Sequence, residues 1–208
     1  MKRPLFILAL AVCALVPATP AKADGLLSGL LPGLVSPADT PSVCDPNSVQ
    51  PFARFGDSNH YVLVPGGAFE SGDPAWKMSG GAKVVRGNEP FYVHERDDQQ
   101  SLLLPDGSVA TSPAMCFDPG DWHFRFFVSG SGSVRVKVVV KSVVGILSTL
   151  DGGAVRAGST WKPSPEVGLL ITNLCGVLAT DSVSVRLSPV RDSNIRVDDV
   201  YLDPWKSG

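Results

Sequence analysis

The stretch that decides the fold is residues 122–141, which read WHFRFFVSGSGSVRVKVVVK. Apolar and polar residues alternate on both sides of a Ser-Gly-Ser-Gly-Ser turn at 129–133. One parity is apolar throughout, in Trp122, Phe124, Phe126 and Val128 and again in Val134, Val136, Val138 and Val140. A period of two is typical of strands with one face on a core and the other in water. The stretch therefore predicts two adjacent strands with a common buried face.

The same alternation and punctuation continue through the rest of residues 44–208. Short apolar segments end at turns rich in Gly, Pro or Asn, and no segment of ten or more residues shows a period of 3.6. Strands are predicted at 61–64, 82–85, 91–95, 101–104, 122–128, 134–141, 167–172, 183–187 and 195–202. About nine or ten short strands in one domain predict an all-β, two-sheet antiparallel β-sandwich, a jelly roll.

Composition and charge agree with that fold and exclude several classes of protein. The chain has 208 residues, of which 18% are charged, with 21 Gly and 18 Pro. The charged fraction is below the roughly 25% of an average domain, which argues against a coiled coil or a helical bundle. A net charge of −2 without a basic block gives no electrostatic footprint for nucleic acid.

The N-terminus predicts export. Residues 1–23 have the pattern of a secretory signal peptide, with Lys2 and Arg3 before an apolar run and Ala21-Lys22-Ala23 as the cleavage site. The apolar run at 4–16 would rise only about 20 Å as a helix, short of the roughly 30 Å membrane core. We expect a secreted or extracytoplasmic protein. Residues 24–43, interrupted by Gly and Pro, are predicted to be a flexible linker, or alternatively a weakly adhesive segment for a membrane or wall.

Three cysteines remain after such a cleavage: Cys44, Cys116 and Cys175. An oxidising destination permits one disulfide with one thiol left over. We predict Cys44–Cys116, because both adjoin Pro-rich segments that a bridge would pin to the sandwich. Cys175 follows an apolar run and is expected to be a buried thiol, although both pairings that include it stay open.

Two segments carry a resemblance to a known superfamily. Residues 61–70 read YVLVPGGAFE and are followed by Trp76, and residues 195–202 read IRVDDVYL. They resemble the first and the closing strand of galactose-binding-like jelly rolls, which include many carbohydrate-binding modules. The resemblance covers about residues 44–204 and implies a carbohydrate-binding fold. Pro-containing inserts at 111–119 and 158–165 match no particular module family.

The closing segment also predicts a bulge and a metal site. Ile195 and Val197 have one parity and Val200 and Leu202 the other, so all four point inward only if a β-bulge shifts the register at Asp198-Asp199. The resemblance implies a structural calcium ion at this corner. Its predicted ligands are Glu70, Asp198 and Asp199, because calcium prefers hard oxygen atoms. The alternative is a solvated acidic edge without an ion.

The candidate glycan site consists of Tyr92, His94, Arg125 and Trp161. A sugar needs flat aromatic faces beside hydrogen-bonding groups. Tyr92 and His94 share one face of the predicted strand 91–95, and Trp161 lies in the insert at 158–165. The alternatives are an ordinary amphipathic strand face for Tyr92 and His94, and core packing for Trp161.

The sequence lacks the local motifs of common enzymes, including G-x-S-x-G, the P-loop and C-x-x-C. We predict a secreted, non-catalytic module that binds carbohydrate or cell-wall glycan weakly. One alternative is a cell-envelope structural or protein-interaction module without a sugar site. A second is a jelly-roll glycan-active enzyme, for which Glu70, Glu95 and Glu166 are the first carboxylates to consider.

Overall fold

A computed structural model describes residues 48–115, 120–142, 145, 147–171 and 180–203. This part of the chain contains twelve strands and a 3-10 turn at Ala53–Phe55. The strands are β1 Val62–Leu63, β2 Lys77–Ser79, β3 Lys83–Arg86, β4 Gln100–Leu104, β5 Val109–Thr111, β6 Gly120–Ser131, β7 Ser133–Ser142, β8 Leu147–Arg156, β9 Lys162–Pro163, β10 Val167–Ile171, β11 Thr180–Pro189 and β12 Asn194–Asp203. The signal peptide, the linker and all three cysteines of the expected mature chain lie outside the described residues.

The strands form two sheets. The first sheet has the order β10-β6-β12-β4-β3, with β1 also paired to β12 and β9 to β6. The second has the order β2-β5-β11-β7-β8. All of these pairings are antiparallel. The predicted all-β, two-sheet antiparallel sandwich is therefore confirmed.

The main core lies between the sheets and follows the alternation in the sequence. On β7, Val134, Val136 and Val138 are completely buried, whereas Arg135 and Lys137 lie on the opposite face. On β6, Phe124 and Phe126 are completely buried and belong to the same core. Burying a side chain of this size contributes roughly 1.5–3 kcal/mol, so these two strands are a large part of what holds the sheets together.

The predicted bulge is present on β12. Asp198 pairs with Phe127 and Tyr201 with Arg125, so two residues of β12 stand opposite one residue of β6. Ile195, Val197, Val200 and Leu202 are all completely buried in the main core. Val62 of β1 pairs with Leu202, so the first and last strands are neighbours.

The predicted strand at 91–95 is wrong. These residues belong to the loop 87–99, in which Tyr92 has a left-handed φ of 50°. The carboxylate of Glu89 accepts hydrogen bonds from the backbone amides of Phe91 and Val93. A side chain therefore satisfies the amides that a ladder would otherwise use, and the chain turns instead of extending.

Four strands were not predicted: β2, β5, β8 and β9. Three of them contain only two or three residues, too few to show a period. The longer β8 contains Gly152 and Gly153 and is shifted in register opposite Val136 and Lys137. A bulge of this kind hides the alternation on which the sequence argument depends.

A second apolar cluster lies on the outer face of the first sheet. We call it the outer aromatic cluster: Phe52, Tyr61, Phe127 and Tyr201, with Phe55, Leu63, Phe91, Val93 and Trp161 packed against it. Phe127 lies between the inward residues Phe126 and Val128 and therefore faces outward from the main core. The ring centroids of Phe52 and Phe91 each lie 5.5 Å from that of Phe127. The segments 48–61 and 87–99 thus cover this face of the sheet.

Candidate functional site

The structure does not place Tyr92 and His94 on a common strand face, because both lie in the loop 87–99. Tyr92 is 50% exposed, one of the few large hydrophobic side chains in the described part with such exposure. The His94 imidazole instead turns to Asp98, with 3.0 Å between Nδ1 and Oδ2. The shared face predicted for these two residues is wrong, although each remains a candidate ligand-binding residue.

Arg125 lies on the face opposite Phe124 and Phe126, as predicted, but it is buried. One terminal nitrogen pairs with the carboxylate of Asp57. Its Nε and the other terminal nitrogen donate to the carbonyl oxygen of Ser164, at 3.1 and 2.9 Å. The guanidinium also lies 4.4 Å from the ring centroid of Phe52. These contacts hold the segment 48–61 and the insert at 158–165 on the sheet.

Trp161 is half-buried against the outer aromatic cluster. The guanidinium of Arg196 lies 5.4 Å from its ring centroid, a cation–π distance. Arg196 also donates to the carbonyl oxygens of Arg86 and Gly87. Trp161 is therefore a partly accessible ring at the edge of the cluster, with a cationic neighbour fixed by backbone contacts.

Four buried carboxylates meet where the loop 87–99 lies against the bulge of β12. We call them the acidic cluster: Glu89, Asp98, Asp198 and Asp199. Asp98 is 7% exposed and the other three are completely buried. The sequence indicated Asp198 and Asp199 as residues of an acidic metal site at the bulge. It did not indicate Glu89 or Asp98, which flank the predicted strand 91–95 and carry no pattern of their own.

Three of the four carboxylates have hydrogen-bond partners. Asp198 accepts from the backbone amides of Glu89 and Asp199, at 2.9 and 3.0 Å. Asp98 accepts from the backbone amide of Glu95 at 3.0 Å and contacts His94. Glu89 accepts from two amides of its own loop, as described above. By contrast, both carboxylate oxygens of Asp199 are buried without a hydrogen-bond partner.

Burial dominates the electrostatics of the acidic cluster. It raises the pKa of Asp198, and the neighbouring charge of Asp199 raises it further. Burial likewise raises the pKa of Asp199, with added contributions from the charges of Glu89 and Asp98. A carboxylate removed from water and placed beside others disfavours its ionised form. Among the described residues, no lysine or arginine forms an ion pair with a carboxylate of the cluster, although the charge of Arg54 partly offsets the raised pKa of Glu89.

Of the three predicted calcium ligands, Asp198 and Asp199 belong to the acidic cluster, and Glu70 has its carboxylate held by backbone amides. Oε1 of Glu70 already accepts from the backbone amides of Gln99 and Gln100, each at 2.7 Å. The ligand atoms that do converge belong to His94, Asp98 and Asp199, and they lie within 4.8 Å of one another. Calcium binds oxygen, whereas this set includes an imidazole nitrogen. Asp98 and Asp199 offer the carboxylate oxygens that calcium accepts, and the calcium assignment stays a prediction.

A separate pocket of about 200 Å³ opens beside β2 and the start of β4. We call it the aromatic pocket. Its lining combines the rings of Phe69 and Trp76 with the polar side chains of Glu70, Asp73 and Gln100. The two rings lie 5.1 Å apart, and the Trp76 indole donates to the carbonyl oxygen of Pro65 at 3.0 Å. Trp76 is buried in the main core.

The turn at Gly66 is essential for the shape of this pocket. Gly66 has a φ of 67°, and a Cβ there would lie 2.0 Å from the carbonyl oxygen of Pro74. Only glycine combines that conformation with such a close approach. The Pro65-Gly66-Gly67 turn noted in the sequence therefore has a clear structural role.

The comparisons with solved structures agree with the fold. The CBM22-1–GH10 modules of Clostridium thermocellum xylanase 10B, complexed with xylohexaose, match at 10% identity with a TM-score of 0.50, covering 71% of this chain and 29% of that chain. A xylan-binding domain from CBM22 matches at 14% identity and a TM-score of 0.47, covering 73% of this chain and 99% of its own. A CBM61 module in complex with β-1,4-galactotriose matches at 18% identity with a TM-score of 0.44, covering 67% of this chain and 96% of that chain.

The match at a TM-score of 0.50, together with the sheet order, shows the fold: a two-sheet antiparallel jelly-roll β-sandwich similar to that of the xylanase modules. The resemblance proposed from the sequence is thus confirmed at the level of the fold. No protein-family model and no curated protein matches the chain. Within the described residues, no helix has the length and apolar character needed to cross a membrane.

Proposed function

We propose that the chain is an exported, non-catalytic module that binds carbohydrate in the aromatic pocket. The observation that carries this proposal is the lining: Glu70, Asp73 and Gln100 surround about 200 Å³ whose floor is formed by two mostly buried rings, Phe69 and Trp76, 4% and 5% exposed. A pyranose ring has apolar C–H faces and polar hydroxyls, so it needs this combination. The partner is then a glycan or a glycan component of a cell envelope.

The fold supports this proposal by analogy. The xylanase modules of similar fold are complexed with xylohexaose, although a shared fold does not fix a ligand. The proposal that the module is non-catalytic rests on the environment of the three carboxylates considered for an enzyme, Glu70, Glu95 and Glu166. Oε1 of Glu70 is held by two backbone amides, and Glu95 and Glu166 are exposed.

A glycan array probed with the full secreted protein, followed by calorimetry on the best glycan, tests the proposal. Gln100→Ala removes a hydrogen-bonding group from the pocket, and Ala75→Phe fills it from its exposed edge. Both variants should lose binding. The matched controls are Gln99→Ala, next to Gln100 but outside the lining, and Ala154→Phe, an exposed alanine on β8. Both controls should bind normally.

Tyr92→Ala and Trp161→Ala test the surface predicted from the sequence. If they abolish glycan binding while both pocket variants bind normally, the site lies at the outer aromatic cluster instead. If no glycan binds and the protein captures one envelope protein, the interaction-module alternative is supported. Release of reducing ends from a glycan, lost on substitution of Glu95 or Glu166, would support the enzyme alternative.

Export and the disulfide are also parts of this proposal. The secreted product should begin at Asp24, and retention of residues 1–23 on soluble cytoplasmic protein would contradict export.

Non-reducing peptide mapping should recover Cys44 linked to Cys116. A linked peptide containing Cys175, or three free thiols in exported protein, would contradict that pairing.

A further inference from the structure

The outer face of the second sheet gathers cationic side chains that are far apart in the sequence. Residues paired across antiparallel strands share a face. Lys77 and Arg186 both pair with Thr111, and two further arginines lie on the same side by the alternation along β7 and its pairing with β8. Arg186 also pairs with Lys137, so one row of side chains crosses four strands. We call the cations on this side the basic face: Lys77, Arg135, Lys137, Arg156 and Arg186. They extend from position 77 to position 186, so the sequence shows no basic block.

The basic face has a surplus of positive charge in a chain whose net charge is −2. Among the described side chains of its five strands, the one acidic residue is Asp151, which pairs with Arg135. Arg186 and Lys137 stand directly opposite each other. Like charges at opposed positions destabilise an antiparallel pair, so the stability of the sheet does not explain this arrangement. A negatively charged partner does explain it.

An exposed leucine adjoins the basic face at the start of β8. Leu147 pairs with Lys141, which lies on the same side of β7 as Lys137. Leu147 is 65% exposed, more than any other large hydrophobic residue in the described part. The four residues between β7 and β8 read Val-Val-Gly-Ile, so the sequence beside Leu147 is apolar as well. Apolar surface beside cations is the combination that suits a lipid–water interface, because the apolar groups enter the acyl boundary and the cations stay with the headgroups.

We propose that the basic face docks on an anionic lipid surface, with Leu147 at the lipid–water interface. Clustered lysine and arginine side chains are attracted to anionic headgroups over about a Debye length, roughly 8 Å at physiological salt. Placing the cations on one side of one sheet lets them reach such a surface together. Leu147 favours a lipid over a soluble polyanion, because an acidic polysaccharide or a nucleic acid has no hydrocarbon layer to receive it. The basic face shares no residue with the lining of the aromatic pocket, so its test is independent of glycan binding.

Cosedimentation of the full secreted protein with lipid vesicles tests this surface. Vesicles of phosphatidylglycerol and phosphatidylcholine in equal parts should bind the protein, less so as salt is raised, and vesicles of phosphatidylcholine alone should not. Each cation near an anionic surface contributes about a fivefold gain in partitioning, so Lys137→Gln combined with Arg186→Gln should weaken binding about 25-fold. Leu147→Ser should weaken binding as well, because it removes the apolar group from the interface.

The matched control is Lys83→Gln combined with Arg96→Gln, which changes the net charge equally at exposed positions of the first sheet and of the loop 87–99. It should bind the vesicles like wild type. Thermal unfolding checks the fold: the variant with Lys137→Gln and Arg186→Gln should unfold no earlier than wild type, because it removes two opposed like charges. If that variant does unfold earlier, the exposed Leu147→Ser keeps the test valid.

Three results would overturn the proposal. The first is absence of binding to the anionic vesicles, or equal binding by wild type and the variant with Lys137→Gln and Arg186→Gln. The second is an equal loss in that variant and in its control, which would reduce the effect to net charge. The third is tighter binding of polygalacturonate or double-stranded DNA than of the anionic vesicles, unchanged by Leu147→Ser, which would replace the lipid with a soluble polyanion.

Discussion

The outer faces of the two sheets are built in opposite ways. Among the described residues, the outer face of the second sheet is partly exposed: on β7 the valines point into the core, and Arg135 and Lys137 point outward with partial exposure. The first sheet has its outer face covered by the segments 48–61 and 87–99. As a result, every residue of β12 from Val197 to Asp203 is buried, whichever face it points to.

The difference shows how the same polar residue types depend on their surroundings. On the open face, the paired residues Thr111, Arg186 and Lys137 form a row across β5, β11 and β7. Their polar groups remain hydrated there. On the covered face, Arg125 and the acidic cluster have lost water and need partners inside the protein. The predictions below compare the two faces, beginning with the largest expected effect.

Removing a ring from the covered face should cost the most stability. We expect Phe127→Ala to lower the free energy of unfolding by about 3–5 kcal/mol, because it opens a cavity among Phe52, Phe55 and Phe91. Val139→Ala on the open face of β7 is the control and should cost less than about 1 kcal/mol. Urea unfolding measures both. A cost below that of the control would mean that the two segments do not pack on the sheet.

Breaking the ion pair of the covered face should have the next largest effect. Arg125→Met removes the charged donor of the Asp57 carboxylate, which keeps its hydrogen bonds from Tyr61 and Asn59, and the guanidinium donors of the Ser164 carbonyl. The expected cost is about 2–3 kcal/mol, below the 3–5 of a fully buried pair because both side chains keep some exposure. Asp57→Asn should be milder, since its amide still accepts from the Tyr61 hydroxyl. Equal stability of wild type and Arg125→Met would contradict a structural role for this arginine.

The same pair should make stability depend on pH. Burial alone would raise the pKa of Asp57, but hydrogen bonds from Tyr61, Asn59 and Arg125 hold it below its usual value. A carboxyl with a lowered folded pKa contributes stability that is complete above its unfolded pKa of about 3.9 and is lost as the pH falls through the folded pKa. The stability difference between wild type and Asp57→Asn should therefore shrink on acidification below about pH 4. A difference independent of pH would show that the charge of Asp57 contributes nothing.

The smallest effect is expected for the ion pair of the open face. Arg135 and Asp151 are in contact, but both side chains are more than 40% exposed. Hydration and salt screening leave such pairs with little net stabilisation. Asp151→Ala should unfold at the same urea concentration as wild type, within error. A loss comparable to that of Arg125→Met would show that exposure does not explain the contrast between the two pairs.

Much of the fold can be predicted from the sequence, whereas parts of the acidic cluster and of the aromatic pocket cannot. The alternation in β6, β7, β11 and β12 predicts each of those strands. The parity change in β12 predicts the bulge and the burial of Ile195 and Val200. Glu89 and Asp98 gave no signal, because a carboxylate in a loop has no period and 91–95 resembles a strand. The aromatic pocket was missed for a similar reason, since its lining comes from separate turns and strand ends.

The sequence by itself determined which residues of β6, β7, β11 and β12 face the main core, because side-chain direction along a strand is a local, two-residue property. It also determined that the register must shift at Asp198-Asp199. Only the tertiary structure decided which polar groups meet and which lose water. The Glu89 amide and the Asp198 carboxylate are 109 positions apart, and Arg125 and Asp57 are 68 apart. Such contacts depend on how separate segments pack across a sheet, and no local pattern records that packing.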